Sequence, residues 1–255
     1  MIKWCSYCFR FIRECEPYDQ FLISHGVCQA CLAKGVTKGD IDKKNLHEFK
    51  TFFSSLQATA RYGGSAQVSR ILAESRRLGI PPMDLLLGLF QPLLVEIGEL
   101  WATGQVTVST EHRFSALVGD LLAQLRSEAP RNPEPVSPRL ILINASDNYH
   151  TLGLQMADTF FTTCGLATLS ITPGLPSKEI LELIAFHQPE AVGFSLALHT
   201  QMKPVGEVAA CIRKLPAPPR YLLLGGAAVR MGLPVPTPDF QVCQHLTEVL
   251  PLLGA

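Results

Sequence analysis

The stretch RLILINASDNYHTLG, residues 139–153, joins a short apolar run to a polar loop and decides the fold of the second half of the chain. An apolar run of this length followed by a helix-length segment at 150–164 is typical of a buried strand that leads into a helix. The same alternation repeats along the chain. Further apolar runs lie at 166–171, 191–195 and 221–224, and further helix-length segments lie at 177–187 and 201–215. The alternation predicts a parallel sheet with crossover helices.

A weaker fifth run at 240–243 and a final helix from about residue 245 complete the pattern. We therefore predict a doubly wound, five-stranded parallel sheet of the flavodoxin-like type over residues 139–255. Four prolines fall within the preceding segment, 129–138. Because proline cannot continue a helix, this segment is predicted to be a linker.

Residues 41–128 contain no cysteine, and their apolar residues recur at helical spacing. The pattern divides at Gly63-Gly64, at the Gly-Ile-Pro-Pro sequence of residues 79–82 and at Thr103-Gly104. It predicts four helices, at 44–61, 64–78, 82–102 and 107–127. Short connections favour antiparallel neighbours, so this zone is expected to be a four-helix bundle.

The composition excludes several classes of protein. Apolar residues make up 47% of the chain and 22 basic residues balance 22 acidic ones, so the chain is expected to fold and has no global field to attract nucleic acid or an anionic membrane. No run approaches the ~18 consecutive apolar residues of a membrane span, and the first residues lack a signal-peptide pattern. We expect a cytoplasmic protein without a membrane partner.

Four of the eight cysteines form two C-x2-C pairs, which are Cys5 with Cys8 and Cys28 with Cys31. Two such pairs separated by nineteen residues are a strong signature of a tetrahedral zinc site. A module of about 40 residues needs such a metal because burial alone cannot hold it together. Cys15 and His25 lie outside the pairs and are not expected to be ligands.

Within residues 1–40, the short segment from Ser24 to Cys31 resembles zinc-knuckle segments that are attached to bacterial signalling proteins. Five basic against four acidic residues give this module a net charge of only +1. Sequence-specific DNA binding by the module is therefore not expected, and a docking or structural role is favoured.

Three strand ends of the predicted sheet carry unusual residues. His150 and Gly153 follow the first strand at H-x-x-G spacing, Ser195 ends the third, and Gly225-Gly226 end the fourth. In an open parallel sheet, ligands bind outside the carboxyl ends of the strands. Each signal is weak singly, but their order predicts a ligand site at this edge.

These residues resemble the D/E-x-H-x-x-G, S-x-L and G-G motifs of the cobalamin-binding domain family over residues 139–255. The resemblance implies that His150 is the lower axial ligand of cobalt, that Ser195 contacts the nucleotide tail, and that Gly225-Gly226 leave room for it. Two residues depart from the motifs. Asn148 stands where the family has a carboxylate that orients the histidine, and Ala197 replaces the leucine of S-x-L.

In the helical zone, Trp101 is followed after nine residues by Glu111-His112. This W-x9-E-H pattern, in a bundle placed before a cobalamin domain, resembles the cap of cobalamin-dependent light-sensing repressors. The resemblance implies adenosylcobalamin, with Trp101 packed against the adenosyl group and Glu111 and His112 hydrogen-bonded to it or capping it. An aromatic plate with a polar pair suits an adenosine. In those repressors a histidine follows the tryptophan, whereas this chain has Ala102, so the upper ligand after illumination is either His112 or water or hydroxide.

We therefore expect a cobalamin-binding, non-enzymatic light sensor that signals by a change of conformation or assembly, with a protein partner or a second copy as its target. The first alternative is a corrinoid methyl carrier of a methyltransferase system. The upper face of such a carrier must open to a partner enzyme, which the W-x9-E-H pattern disfavours. The second alternative is a light-independent sensor of cobalamin or haem.

Overall fold

The computed structural model of the chain describes residues 1–18, 20–63, 67–128, 137–230 and 239–254. The chain divides into two compact units, Met1–Ala123 and Gln124–Ala255. Most of the predicted linker, residues 129–136, lies outside the described residues, and the four-part domain division stays a prediction.

The first unit begins with a three-stranded sheet made of β1 (Ile2–Cys5), β2 (Phe11–Glu14) and β3 (Ile23–Gly26). The strand order is β2-β1-β3, and β1 pairs antiparallel with β2 and parallel with β3. A short helix, α1 (Gln29–Ala33), and a 3-10 turn at Lys38–Asp40 follow.

The predicted bundle helices are present at close to their predicted bounds, as α2 (Lys43–Tyr62), α3 (Val68–Arg77), α4 (Pro82–Leu85), α5 (Gln91–Ala102) and α6 (Val108–Glu128). The side chain of Asp42 caps α2 by accepting a hydrogen bond from the Asn45 N–H. A single π-turn, Leu86–Phe90, joins α4 to α5. We call the continuous segment Pro82–Ala102 the long helix.

The long helix is the one helix in the described part of the chain that has the length and hydropathy of a membrane span, and half of that span is buried inside the protein. Its buried residues follow the helical spacing predicted from sequence and include Leu85, Leu86, Leu89, Phe90, Leu93 and Ile97. Glu96 is also buried on it and pairs with Arg61 and Gln57 of α2. This burial pattern is that of a core helix, because its apolar face packs against the other helices of the unit.

The second unit contains the predicted five-stranded sheet, whose strands are β4 (Leu140–Asn144), β5 (Thr168–Ile171), β6 (Ala191–Ser195), β7 (Tyr221–Gly225) and β8 (Phe240–Val242). All neighbouring strands are parallel, and their order is β5-β4-β6-β7-β8. This order is the flavodoxin-like one, in which the chain reverses direction across the sheet after the second strand. The carboxyl ends of β4 and β6 consequently lie side by side.

Helices α7 (Leu152–Thr163), α8 (Ser177–His187), α9 (Met202–Ile212) and α10 (Ala227–Arg230) connect or follow the strands. One core cluster joins α8, α9 and α10 to the strand residues of one sheet face, such as Ile141, Val192 and Leu222. Helix α7 packs on β4 and β5, and its buried residues lie outside this cluster. Helices therefore cover the sheet in two layers, as the doubly wound pattern requires.

The predicted final helix from about residue 245 is wrong. Residues 239–254 contain two short 3-10 segments, Leu246–Glu248 and Leu250–Leu253, and no α-helix. The reason is local, because Pro251 has no N–H to donate to the carbonyl four residues earlier, and Gly254 ends the segment with φ 61°.

Candidate functional site

The loop after β4 is closed by two asparagines. Asn144 Nδ2 donates to the Asn148 carbonyl at 2.5 Å, and Asn148 Nδ2 donates back to Asn144 Oδ1 at 3.0 Å. Asn148 Nδ2 also donates to the Ser195 carbonyl at 3.1 Å, which ties the loop to the end of β6. Both asparagines are buried, so these hydrogen bonds replace water completely and fix the loop.

His150 is presented by this loop with its side chain exposed. Asn148 Oδ1 accepts the backbone N–H of His150 at 3.0 Å, so the residue that replaces the expected carboxylate holds the histidine backbone. The neighbouring Tyr149 is 82% exposed. An imidazole in this position is open to a metal ion, because a ring nitrogen with a free lone pair is what a transition metal binds.

The loops after β6 and β7 are locked together through backbone groups. Leu196 N–H donates to the Gly225 carbonyl at 3.0 Å, and Ala228 N–H donates to the Leu196 carbonyl at 3.2 Å. Gly226 has φ 104°, and a Cβ added there would overlap Leu196 O and lie 2.8 Å from Leu196 N. Gly226 is thus required by the fold itself.

At two other glycines of the predicted site, packing within the protein does not require glycine. A Cβ at Gly225 would meet only the Cys243 carbonyl, at an ordinary 3.5 Å, and a Cβ at Gly153 would meet nothing within 4 Å. Both positions leave backbone uncovered at the carboxyl edge of the sheet. Such uncovered backbone is suited to the close approach of a bound molecule.

Gln201, which sequence reasoning missed, organises the loop after Ser195. Its Oε1 accepts the N–H groups of Ala197 at 2.9 Å and Leu198 at 3.1 Å. Its Nε2 is buried and has no hydrogen-bond partner within the described ranges. An unsatisfied buried donor costs about 1–3 kcal/mol, and such groups mark places that a ligand or water completes. Gln201 belongs to none of the sequence motifs, so the sequence did not indicate its role in this loop.

The exposed imidazole of His150 and the uncovered Gly153 follow β4, Gly225 ends β7, and the buried donor of Gln201 follows β6, so all of these groups belong to the carboxyl ends of three strands. They fit the nucleotide tail and cobalt of a cobalamin, which needs one nitrogen ligand and several polar contacts. Ser195 is half-buried, and its carbonyl accepts from Ala145 N–H at 3.1 Å as well as from Asn148.

Trp101, Glu111 and His112 are on the first unit, where the five-residue loop 103–107 joins α5 to α6. Trp101 is 49% exposed at the end of α5. Glu111 Oε2 lies 2.5 Å from His112 Nδ1, and Ser115 Oγ donates to Glu111 Oε1 at 2.6 Å. The half-exposed ring of Trp101 offers an aromatic face to a ligand, and Glu111 is already oriented by two partners.

The four cysteines predicted to bind metal come together. The sulfur atoms of Cys5, Cys8, Cys28 and Cys31 all lie within 4.8 Å of one another, and this is the only cluster of three or more such ligand residues in the part of the chain that the structure describes. Cys8 Sγ and Cys28 Sγ are 3.5 Å apart. A tetrahedral zinc ion with Zn–S bonds of about 2.3 Å needs sulfur atoms a little under 4 Å apart, so the cluster fits it. We call it the four-cysteine site.

Burial raises the pKa of the Cys8 and Cys31 thiols of the four-cysteine site, whereas backbone hydrogen bonds favour the thiolate of Cys5. Burial raises the pKa of the Cys5 thiol, but the backbone N–H groups of Cys28, Tyr7 and Cys8 donate to its sulfur and bring its pKa down to about 6. The Cys28 N–H lies 3.4 Å from Cys5 Sγ. Cys15 is outside the cluster, and its Sγ lies 3.6 Å from the Met1 carbonyl.

Comparison with known proteins agrees with this chemistry. A family model described as "B12 binding domain" matches residues 58–126. The HTH-type transcriptional repressor CarH of Myxococcus xanthus is 27% identical over 179 residues, a match that covers 69% of this chain and 58% of the repressor. This chain therefore spans less than two thirds of the length of that relative.

Among solved structures, the monomethylamine corrinoid protein of Methanosarcina barkeri aligns with a TM-score of 0.62 and 14% identity, covering 82% of this chain and 98% of that one. At that identity the alignment shows the fold alone. The family-model match confirms the predicted resemblance to the cobalamin-binding domain family, and the matched residues, 58–126, lie in the helical zone, behind an N-terminal four-cysteine cluster.

Proposed function

We propose that the protein is a cobalamin-binding regulator that responds to light through adenosylcobalamin. The observation that carries the proposal is the half-exposed Trp101 at the end of α5, followed across a short loop by the paired Glu111 and His112. A surface made of an aromatic ring and oriented polar groups suits an adenosine. The relative that is named as a transcriptional repressor supports a regulatory role.

His150 would bind the cobalt from the sheet domain through its exposed imidazole, with its backbone fixed by Asn148. Gln201 Nε2 and the uncovered backbone at Gly153 and Gly225 would receive the nucleotide tail. Trp101 would pack against the adenosyl group, and Glu111 and His112 would hydrogen-bond to it. Adenosylcobalamin supplies a cobalt–carbon bond that visible light breaks.

Loss of the adenosyl group would leave the ring of Trp101 without its packing partner. Exposing that apolar surface is unfavourable, so α5 and the start of α6 would rearrange or cover Trp101 with another surface. The signal is then a change of conformation or of oligomeric state. In the same proposal, zinc occupies the four-cysteine site as a structural ion.

The test is an absorption spectrum of the purified protein with adenosylcobalamin, recorded in the dark and after green light, with size-exclusion chromatography of both samples. We expect a bound corrin spectrum that changes irreversibly on illumination, together with a shift in elution. His150→Ala should alter the dark spectrum, whereas His187→Ala, a histidine on α8 away from the strand-end loops, should not.

Each of the other outcomes has a distinct meaning. Binding without a change of shape or assembly after light contradicts the photosensor and favours a corrinoid methyl carrier or a light-independent sensor. Exchange of a methyl group with a methyl donor would identify the carrier. Absence of cobalamin binding contradicts the whole proposal, and haem binding would then identify a haem sensor.

A further inference from the structure

Aromatic residues of the N-terminal module pack against the helices of the first unit. Trp4 is fully buried. The centroid of its ring lies 5.9 Å from the ring centroid of Phe11 of β2 and 4.9 Å from that of Phe49 of α2. Phe9 packs on the same Phe49 ring at 5.8 Å. The apolar residues of the module therefore form one continuous core with the helices of the first unit.

The N-terminal module packs closely on the long helix at Gly88, where the missing side chain leaves a gap that we call the notch. A Cβ added at Gly88 would lie 2.5 Å from Trp4 Cζ2 and 2.7 Å from Phe11 Cδ2, so only glycine permits this approach. Trp4 Nε1 also donates to the Gly88 carbonyl at 3.4 Å. Gly88 lies inside the π-turn Leu86–Phe90, and single π-turns within α-helices are often found at functional positions.

Asp84, one helical turn before the notch, makes polar contacts with the module. The side chain of Asp84 accepts Arg10 Nε at 2.5 Å and the backbone N–H of Phe11 at 3.0 Å. Because Asp84 is largely buried, both partners are needed to compensate its charge. The module is thus held on the long helix by packing and by charge at adjacent positions.

The residues that make this contact are next to the metal-ligating cysteines. Trp4 precedes Cys5 and Phe9 follows Cys8, so the turn between the first two cysteines places both rings. Phe9 has φ 53°, a strained value for a phenylalanine, and its N–H donates to the Cys5 carbonyl at 3.2 Å. A metal ion bound by Cys5 and Cys8 would hold this turn closed, and without it the strained turn is free to relax.

We propose that metal occupancy of the four-cysteine site controls cobalamin binding through the long helix, which makes the site a second input of the protein. The helix runs without a break from Gly88 to Trp101, about 20 Å at 1.5 Å per residue. Metal loss releases Trp4 from the notch, and the long helix, with Trp101 at its end, loses the contact that fixes it. The proposal rests on the proposed function, since Trp101 has to be part of the cobalamin site.

The first experiment detects undocking without cobalamin. The chain has two tryptophans, so in a Trp101→Phe variant the fluorescence comes from Trp4 alone. Removal of zinc by a chelator should move the emission of Trp4 to longer wavelength, because its ring leaves a fully buried position, and restored zinc should reverse the shift. An emission spectrum unchanged by chelation overturns the proposal.

The second experiment measures coupling. Adenosylcobalamin is titrated in the dark into zinc-loaded and chelator-treated protein, and zinc loading is expected to tighten binding at least about 5-fold, the lower end of typical allosteric coupling. Saturating cobalamin should tighten zinc binding by the same factor, since coupling is reciprocal. Gly88→Ala should bind zinc but lose the difference between the two states.

Gly119→Ala is the matched control, because Gly119 is also a helical glycine of the first unit and a Cβ there meets nothing within 4 Å. It should keep the difference that Gly88→Ala loses. Equal cobalamin affinity with and without zinc overturns the coupling and leaves the proposed function standing. Absence of cobalamin binding in both states overturns the proposed function instead.

Discussion

Asn148 has a structural role that its place in the motif does not suggest. Its amide donates to Asn144 Oδ1 and to the Ser195 carbonyl, and its Oδ1 accepts the His150 N–H. A carboxylate at this position keeps the acceptor but loses both donors, and it places its own lone pairs against two oxygens. The amide is therefore the residue that this loop requires.

Asn148→Asp, which restores the carboxylate of the family motif, is expected to lower the free energy of unfolding by about 1–3 kcal/mol because two buried acceptors lose their donor. Urea denaturation followed by far-UV circular dichroism measures this change. Asp147→Asn is the control, since Asp147 is exposed at φ 59°, where asparagine is well tolerated. Unchanged stability of Asn148→Asp would show that the loop can rearrange around a carboxylate.

The two residues of the Gly225-Gly226 pair are glycines for different reasons, because the fold requires the second and only ligand binding is expected to require the first. Gly226→Ala is expected to destabilise the protein by about 2 kcal/mol or more, because alanine at φ 104° is strained and its Cβ overlaps Leu196. Gly225→Ala should leave stability within about 0.5 kcal/mol and weaken only cobalamin binding. Thermal denaturation and a cobalamin titration of both variants separate the two effects, and equal destabilisation would contradict this division.

The position of Ser195 and Gly225 at strand ends could be predicted because a polar loop after an apolar run has few interpretations, whereas their part in binding stays a prediction. Gln201 and Asn144 could not be predicted, since their role depends on which backbone groups the folded loops leave unpaired. Asp158 is a similar case on α7. It is buried and accepts from Thr168, Ser170 and Arg126, partners that only the folded sheet edge brings together.

At the scale of elements, the docking of β2 on the long helix depends on the Arg10–Asp84 pair. Burial raises the pKa of the Asp84 carboxyl above its usual 3.8, and the Arg10 guanidinium opposes that rise. A carboxyl with a raised folded pKa contributes full stability below its unfolded pKa and loses it as pH rises through the folded pKa. Removal of Arg10 raises the pKa further and increases that loss at neutral pH.

Arg10→Ala is therefore expected to cost about 1 kcal/mol near pH 7 and less at acidic pH, as Asp84 becomes protonated. The estimate is small because the Arg10 side chain is 56% exposed. Unfolding free energies across this pH range provide the measurement. Arg13→Ala, an exposed arginine of β2, the strand that begins directly after Arg10, should show no such pH dependence. An equal loss at neutral and acidic pH for Arg10→Ala would argue against the role of Asp84.

Helices and parallel strands were predicted close to their observed bounds because their patterns are long and periodic. The π-turn and the C-terminal 3-10 segments were not, for two different reasons. The π-turn lies where Trp4, more than 80 residues earlier in the chain, meets Gly88, which no local pattern records. The C-terminal segment, in contrast, contained its own signal in Pro251.

At the scale of the whole molecule, the chain has two units, and both tryptophans, Trp4 and Trp101, lie in the first. Tryptophan fluorescence therefore reports on the first unit, whereas far-UV circular dichroism reports on the helices of both. Zinc binding to the four-cysteine site would stabilise only the unit that contains the site, because a ligand shifts the equilibrium of the state that binds it. The two signals should then respond differently to metal removal.

Chelation of zinc is expected to move the fluorescence-detected urea midpoint to a lower concentration and to leave a later transition visible by circular dichroism. With zinc present at about 100 times its dissociation constant, the stabilisation that is lost is about 2.7 kcal/mol. Cys164→Ser, a cysteine of the second unit outside the cluster, serves as a control that should keep this response, while Cys8→Ser should abolish it. If both signals shift together by the same amount, the two units unfold as one cooperative body, and metal occupancy of the N-terminal module governs the stability of the entire chain.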